Sequence, residues 1–302
     1  MSATVFIDGA AGTTGLEIRE RLARRDGLTL VEIDPARRKD AGARAGALNG
    51  ADIVILCLPD DAAREAVALI DNPDTRVIDA STAHRTHGDW LYGFPELVGR
   101  DRIAAARRVS NPGCYSTGFI ALVAPLVRAG LIAADRALTC NAVSGYSGGG
   151  KAMIAEYEAA GAGASAWRSY ALGLDHKHVP EMQAHCGLTL PPLFVPAVVP
   201  VRSGMVVDVP LVLDGVTADD VRAAWRQAYA GSAIVRVAAQ DGATLAVDAL
   251  AGTDRLDLHV FGNAARGQLR LAAVLDNLGK GASGAAVQNL NIMLGVDEGI
   301  SL

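Results

Sequence analysis

Cys114 stands where a thiol can do chemistry. It lies in Ser110-Asn111-Pro112-Gly113-Cys114-Tyr115, where the turn residues Asn-Pro-Gly end a strand pattern and a helical pattern follows. A thiol at a helix start sees unpaired backbone amides and the positive end of the helix dipole, both of which favour thiolate. Cys57 and Cys140 fall inside strand patterns and read as packing residues. No C-x-x-C pair occurs, and a chain of 302 residues does not need disulfide staples. A thiol nucleophile needs a general acid/base, and Leu174-Asp-His176-Lys-His178-Val-Pro-Glu181 followed by His185 and Cys186 supplies candidates. In an extended segment His176 and His178 would point to one side. Zinc is the rival reading, but the spacing matches no compact zinc signature and a nearby fourth ligand beyond Cys186 is missing, so no metal is expected.

A second constellation opens the chain. The strand pattern TVFID (4–8) runs into Gly9-Ala-Ala-Gly12-Thr13-Thr14-Gly15 and then a helix. Glycines there allow a tight turn and close approach to a pyrophosphate held on the helix N-terminus, although the spacing is one residue longer than the usual dinucleotide fingerprint. After the second strand, Glu32 and Asp34 sit where a ribose-binding acid would favour NAD. Arg37, Arg38 and Lys39 form a cluster able to hold a 2′-phosphate, which favours NADP. The residues themselves leave both open; the basic cluster inclines the reading to NADP.

Gly145-Tyr-Ser-Gly-Gly-Gly150-Lys151 also satisfies a phosphate-loop pattern. Ala152 follows, without the hydroxyl that such loops place on Mg²⁺, and no strand with a convincing metal-binding aspartate comes after it. The loop reads instead as a wall of a substrate pocket, with backbone amides able to face an anion. Lys151 is as readily structural as functional.

These residues need elements to position them. TLVEI (29–33), DIVILCL (52–58), RVIDAS (76–81) and RRVS (107–110) continue the first strand in an alternating strand–helix order, with near-continuous apolar or β-branched runs. That pattern predicts a doubly wound parallel sheet covered on both faces. After Pro112 a helix leads to ALTCNAVS (137–144). From about 191 onward, longer strands alternate with period two, which predicts a mixed or antiparallel sheet with one helix-covered face. Segment 219–231 reads as a helix crossing that sheet, and 281–295 as a closing helix. The predicted domains are 1–112 with 281–302, for nucleotide binding, and 113–280, for catalysis and oligomerisation.

Half of the residues are hydrophobic, a fifth are charged, and the formal net charge is −5. The acidic balance argues against nucleic acid as the main partner. No apolar run reaches the roughly 18 residues that span a bilayer. With no leader pattern in MSATVFIDGAAG, the cytoplasm is the expected location.

In order, GAAGTTG, IDPARRKD, LCLPDDAA, VIDASTAHR, WLYGFPEL, SNPGCYSTG, VSGYSGGGK, HKHVPEM and DNLGKGASGAAVQNLN resemble the N-acetyl-γ-glutamyl-phosphate reductase family, in the shorter of its two subtypes. The resemblance covers nearly the whole chain. It implies a Rossmann-like domain beside an α+β catalytic and dimerisation domain, as in glyceraldehyde-phosphate dehydrogenase. It also implies NADPH as cofactor, a small acyl phosphate as substrate and a homodimer or homotetramer. Carried onto this sequence, it makes Cys114 the nucleophile and His178 the acid/base. The cofactor set becomes Gly9, Gly12, Thr13, Thr14, Gly15, Arg37, Arg38, Ser81 and Asn277. The substrate set becomes Arg85, Asn111, Ser144, Gly145, Tyr170 and His176. DASTAHR departs from the longer subtype's acidic-aromatic-arginine segment, which affects the anion contacts. An aspartate-semialdehyde or lysine-pathway reductase, and a catalytically silent nucleotide-binding regulator, remain as alternatives.

Overall fold

A computed structural model describes residues 2–34, 36–37, 40–239 and 242–302. The chain forms two compact units, residues 1–112 with 282–302, and residues 113–281.

The first unit runs β1 (Ala3–Asp8), α1 (Thr13–Leu22), β2 (Leu28–Val31), α2 (Ala41–Gly50), β3 (Ile53–Leu56), α3 (Asp60–Ala68), β4 (Arg76–Asp79), β5 (Leu91–Tyr92), α4 (Pro95–Val98), α5 (Arg100–Ala105) and β6 (Arg108–Ser110), and closes with a helix at Gly284–Met293. The sheet order is β2-β1-β3-β4-β6-β5, with every pairing parallel. Successive side chains of a strand face opposite ways, so a sheet covered on both sides needs apolar residues at every position. Val5, Ile7, Ile53 and Ile55 pack with Ile18, Leu22, Val287 and Leu290 on one face, while Phe6, Val54 and Leu56 pack with Leu48, Ala63 and Ala66 on the other. The chain leaves β1 for β2 on one side and returns to β3 on the other, which makes the end of β1 a topological switch point.

Two details differ from the sequence expectation. The strand ending at Ser110 is the sixth, because Leu91–Tyr92 adds a short edge strand. Two residues carry no readable periodicity. Cys57 lies just past β3, where its N–H donates to the Asp8 carbonyl (2.8 Å).

The second unit contains α6 (Cys114–Arg128), β7 (Thr139–Gly145), α7 (Gly150–Ala160), β8 (Arg168–Ser169), α8 (Val179–Cys186), β9 (Leu193–Val199), β10 (Met205–Val212), α9 (Ala218–Ala228), β11 (Val235–Val237), β12 (Leu256–Asn263) and β13 (Gln268–Leu275). Its seven-stranded mixed sheet has the order β11-β12-β13-β10-β7-β9-β8. Along β10, Met205, Val207, Val209 and Leu211 are buried and alternate with more open neighbours, as period-two patterning requires.

Helix α6 carries Cys114, so its anchoring matters. Pro125 lacks an N–H and leaves the Ala121 carbonyl without its helical donor. The Tyr229 hydroxyl donates to that carbonyl (2.7 Å), and Trp225 Nε1 donates to the neighbouring Leu122 carbonyl (2.9 Å). Both aromatics come from α9 or its C-cap, and a capping box between Thr217 and Asp220 starts that helix. Tyr229→Phe is therefore expected to destabilise the protein by about 1–3 kcal/mol, the cost of a buried polar group left unpaired. Urea unfolding of the two proteins would measure it.

Candidate active site

In the first unit, the glycine loop links β1 to α1. Gly9 has a positive φ (+89°), and a side chain there would collide with the Cys57 carbonyl oxygen, so only glycine fits. A Cβ on Gly15 would lie 2.5 Å from the Gly9 carbonyl oxygen, which shows how closely α1 begins against the loop. Gly12 caps α1 without a side-chain hydrogen bond, and the first turn has no acidic residue. Thr13 Oγ1 is buried with no hydrogen-bond partner among the described residues. The uncapped N-terminus of this ten-residue helix, beside an orphaned hydroxyl, suits a pyrophosphate. These residues fit a dinucleotide.

At the end of β2, the two opposing cofactor signals are partly occupied. Asp34 builds a turn, with its carboxylate accepting from Ala36 N–H (2.9 Å) and its carbonyl from Arg37 N–H (2.7 Å). Glu32 pairs with Arg19 (3.3 Å). The exposed Arg37 guanidinium reaches Asp40 (3.3 Å), and Asp40 caps α2 through Ala43 N–H. That capping amide holds the Asp40 carboxyl below its usual range. Arg38 and Lys39 lie outside the described residues.

Asp79, at the end of β4, organises the turn that carries Ser81 and Arg85. Its fully buried carboxylate accepts from Ser81 N–H (2.9 Å) and Ser81 Oγ (2.7 Å), and lies 2.6 Å from His84 Nδ1. The Ser81 hydroxyl also accepts from Ala83 N–H (3.1 Å), so its bonds serve the turn. Arg85 is buried and donates to the carbonyls of Asn111 (2.9 Å) and Ala80 (3.0 Å). The Asn111 side chain donates to the Ala282 carbonyl (2.9 Å), and its Oδ1 faces Asn289 Nδ2 (3.3 Å). Arg85 and Asn111 thus brace each other at the end of the sheet.

In the second unit, Cys114 is the first residue of α6, with Gly113 as an N-cap that contributes no side chain. It is half-buried, whereas Cys140 and Cys186 are buried. Burial pushes the Cys140 and Cys186 thiols far up, and burial with the nearby Asp79 and Asp8 carboxylates pushes Cys57 up to about 12. Those three thiols stay protonated at neutral pH.

The histidine segment is not extended. It turns at Leu174, which has a positive φ (+60°), and His178 becomes the N-cap of α8. The two rings still meet edge to face, with centroids 4.7 Å apart, and His178 N–H donates to His176 Nδ1 (3.1 Å). Tyr115 lies beside both, at 6.0 Å from His176 and 5.8 Å from His178. Its hydroxyl accepts from Tyr170 (2.9 Å) and also meets Ser144. Burial raises both phenols well above their ordinary range, so they remain neutral hydroxyls. The structure thus gathers Cys114, Ser144, Tyr170, His176 and His178 around Tyr115. Position 115 was missed by sequence reasoning, although it follows Cys114 directly in the first turn of α6.

Two further residues complete this cluster. Glu181 is buried in the first turn of α8 and accepts from Gly113 N–H (3.3 Å). Gly281 abuts the nucleophile, since a Cβ there would lie 2.9 Å from both Cys114 Cβ and the Asp276 carbonyl oxygen. Its N–H closes on that same carbonyl (3.1 Å), which places it with the second unit rather than with the returning segment.

The second glycine loop departs from expectation. The amides of Gly145, Tyr146 and Ser147 donate to the carbonyls of Gly204, Val201 and Arg202 at 2.9–3.0 Å. They fasten the loop to a turn and do not face an anion. Asn277 serves the same junction by donating to Ser147 Oγ (2.9 Å) and accepting from Gly204 N–H (2.9 Å). Among the described residues no group of three or more His, Cys, Asp or Glu side chains is placed to hold a metal ion. Among them, too, no helix is long and apolar enough to cross a membrane.

The same division appears in comparisons with known proteins. Residues 34–106 match the semialdehyde dehydrogenase NAD binding domain, and residues 114–277 match the semialdehyde dehydrogenase dimerisation domain. Aspartate semialdehyde dehydrogenase II from Vibrio cholerae shares the fold, with a TM-score of 0.73 at 17% identity over 98% of this chain and 99% of its own. The class is therefore that of the semialdehyde dehydrogenases, which work with a nicotinamide cofactor. N-acetyl-gamma-glutamyl-phosphate reductase from Burkholderia ambifaria is 54% identical over 97% of this chain and 96% of its own length. N-acetyl-gamma-glutamyl-phosphate reductase 2 from Pseudomonas putida is 53% identical, covering 96% of each. At that likeness over nearly the full length, the chain belongs to the N-acetyl-gamma-glutamyl-phosphate reductase family.

Proposed function

We propose that the protein reduces N-acetyl-γ-glutamyl phosphate to N-acetylglutamate 5-semialdehyde and phosphate with NADPH, in arginine biosynthesis. The observation that carries this reading is Cys114 at the head of α6, gathered with His178 around Tyr115. The Cys114 thiolate attacks the acyl carbonyl carbon, the carbon–oxygen bond to phosphate breaks, and a thioester remains on the protein. The nicotinamide, when bound, supplies hydride to the thioester carbonyl carbon. His178 protonates the resulting oxyanion to give a thiohemiacetal, then removes the hydroxyl proton as the carbon–sulfur bond breaks. The aldehyde leaves and Cys114 returns as thiolate. Tyr170, Ser144 and His176 line the Tyr115 cluster as substrate contacts, with Arg85 and Asn111 as further anion contacts. Gly9, Gly12, Thr13, Thr14 and Gly15 hold the pyrophosphate; Ser81 and Asn277 are assigned to the cofactor as well.

For the 2′-phosphate we assign Arg37 and Arg38, because the Asp34 carboxylate is engaged in its own turn while the Arg37 guanidinium is exposed. Arg37→Ser is expected to raise KM for NADPH about tenfold and to leave KM for NADH unchanged, since one charge-assisted hydrogen bond is lost only with the phosphate. Steady-state kinetics with both cofactors would check this. We further infer a cytoplasmic homodimer or homotetramer, supported by the dimerisation-domain match; light scattering gives the mass. The activity itself is tested in reverse, by phosphate-dependent NADP⁺ reduction. Turnover with N-acetylglutamate semialdehyde and none with aspartate semialdehyde is expected, and the opposite pattern would overturn the substrate assignment.

A further inference from the structure

The turn after β4 holds a buried carboxylate–imidazole pair that takes no part in the proposed chemistry. Asp79 is 0% exposed and His84 8%. His84 Nδ1 lies 2.6 Å from Asp79 Oδ2, and an ionised carboxylate can only accept, so the ring carries a proton on Nδ1. The same ring stacks on Trp90, with centroids 4.2 Å apart and planes 14° from parallel. Trp90 has the Arg108 guanidinium of β6 on its ring, 5.8 Å from the centre. His84 is therefore fixed twice, by an N–H and by a ring face. The other bonds of the turn show what it holds. Asp79 also accepts from the N–H and hydroxyl of Ser81, and Thr82 is tied to Asp60 at the head of α3 by its N–H (2.9 Å) and its hydroxyl. Arg85 follows His84 directly, and its N–H donates to the Thr82 carbonyl (3.5 Å). Its guanidinium donates to the Ala80 carbonyl, inside the same turn, and to the Asn111 carbonyl. A shift of the turn about Asp79 thus moves an acceptor that aims Arg85.

We propose that His84 is a positioning residue for substrate binding: its Nδ1–H, acting through Asp79, sets the turn so that Arg85 is aimed at the substrate anion. This rests on the assignment of Arg85 as an anion contact. His84 touches neither substrate nor cofactor in this role. Its loss acts on binding and spares the steps at Cys114. A charge-assisted hydrogen bond between buried groups is strong enough to hold a turn in one arrangement, and a guanidinium recognises an anion well only when its fork is already oriented.

The N–H and the ring can be removed separately. His84→Phe keeps a ring to stack on Trp90 and deletes the donor to Asp79. His84→Asn keeps an amide N–H near the place of Nδ1 and deletes the ring. With the full chain and saturating NADPH, His84→Phe is expected to raise KM for the acyl phosphate about tenfold, the worth of one charge-assisted hydrogen bond, with kcat within about twofold of the parent. His84→Asn should bring KM back to within about threefold, yet melt at a lower temperature than His84→Phe because the stack is gone. A purely structural role predicts the opposite order. A normal KM in His84→Phe, or a KM that follows melting temperature instead of the N–H donor, would overturn the proposal. Asp79→Asn, which removes the charge and one acceptor at nearly constant size, carries the test if His84→Phe does not fold. A raised KM with unchanged kcat is expected there too, and a normal KM overturns the proposal. Arg85→Ala runs alongside. If it leaves KM for the acyl phosphate unchanged, the assignment of Arg85 to the substrate has failed; if it raises that KM while His84→Phe is normal, only this inference has failed.

Discussion

Cys114→Ser is expected to lower turnover by about 10⁴-fold or more, the scale on which nucleophile removal acts in covalent enzymes. A serine hydroxyl keeps the size and the close packing against Gly281, yet it is not ionised at neutral pH and makes a far weaker nucleophile. No other thiol is placed to replace it. Cys57 is pushed up to about 12, and burial raises Cys140 and Cys186 well above the usual thiol range. Cofactor affinity should be unchanged, because the glycine loop and α1 belong to the other unit. Stopped-flow kinetics with NADPH fluorescence reads both quantities from one preparation. Substantial activity in the serine variant would mean that the acyl group never resides on residue 114.

His178→Asn is the second large effect, a fall of about 10²–10⁴-fold in kcat. The loss should fall unevenly across the reaction. Phosphate is a good leaving group and departs without a proton, so acylation of Cys114 slows less than the reductive half. There the oxyanion must be protonated and the hydroxyl later deprotonated. Asparagine retains the backbone N–H that donates to His176 Nδ1, so the turn into α8 should persist. Single-turnover experiments would show phosphate released well ahead of NADPH oxidation. Equal slowing of both phases would place His178 in the attack step instead.

Much of this was legible in the residues. Continuous apolar runs in β1, β3 and β4 require two covered faces, and that requirement gives the parallel sheet. The glycines after β1 and the Asn-Pro-Gly turn before Cys114 state local backbone demands, which sequence carries directly. What stayed hidden is non-local or short. Helix α2 is built from Ala and Gly with little periodic contrast, and β5 and β8 have two residues each. Helix α8 was masked because its polar, histidine-rich approach reads as extended chain, while His178 is the N-cap and Pro180 occupies the first turn. The amides of Gly145–Ser147 looked available to an anion. Their acceptors lie more than fifty residues away, in a turn whose proximity comes from the pairing of β10 with β7. Glu181 could have been singled out by its place three residues after His178 in an N-terminal turn, where a carboxylate suits the dipole.

A covalent acyl group on Cys114 can be read directly by intact-protein and peptide mass spectrometry. The protein is mixed with N-acetyl-γ-glutamyl phosphate in the absence of NADPH and quenched in acid, which preserves thioesters. One N-acetylglutamyl group per chain is expected, located on the peptide containing Cys114 and lost on adding NADPH. Phosphate release without any adduct, or an adduct on another residue, would contradict it.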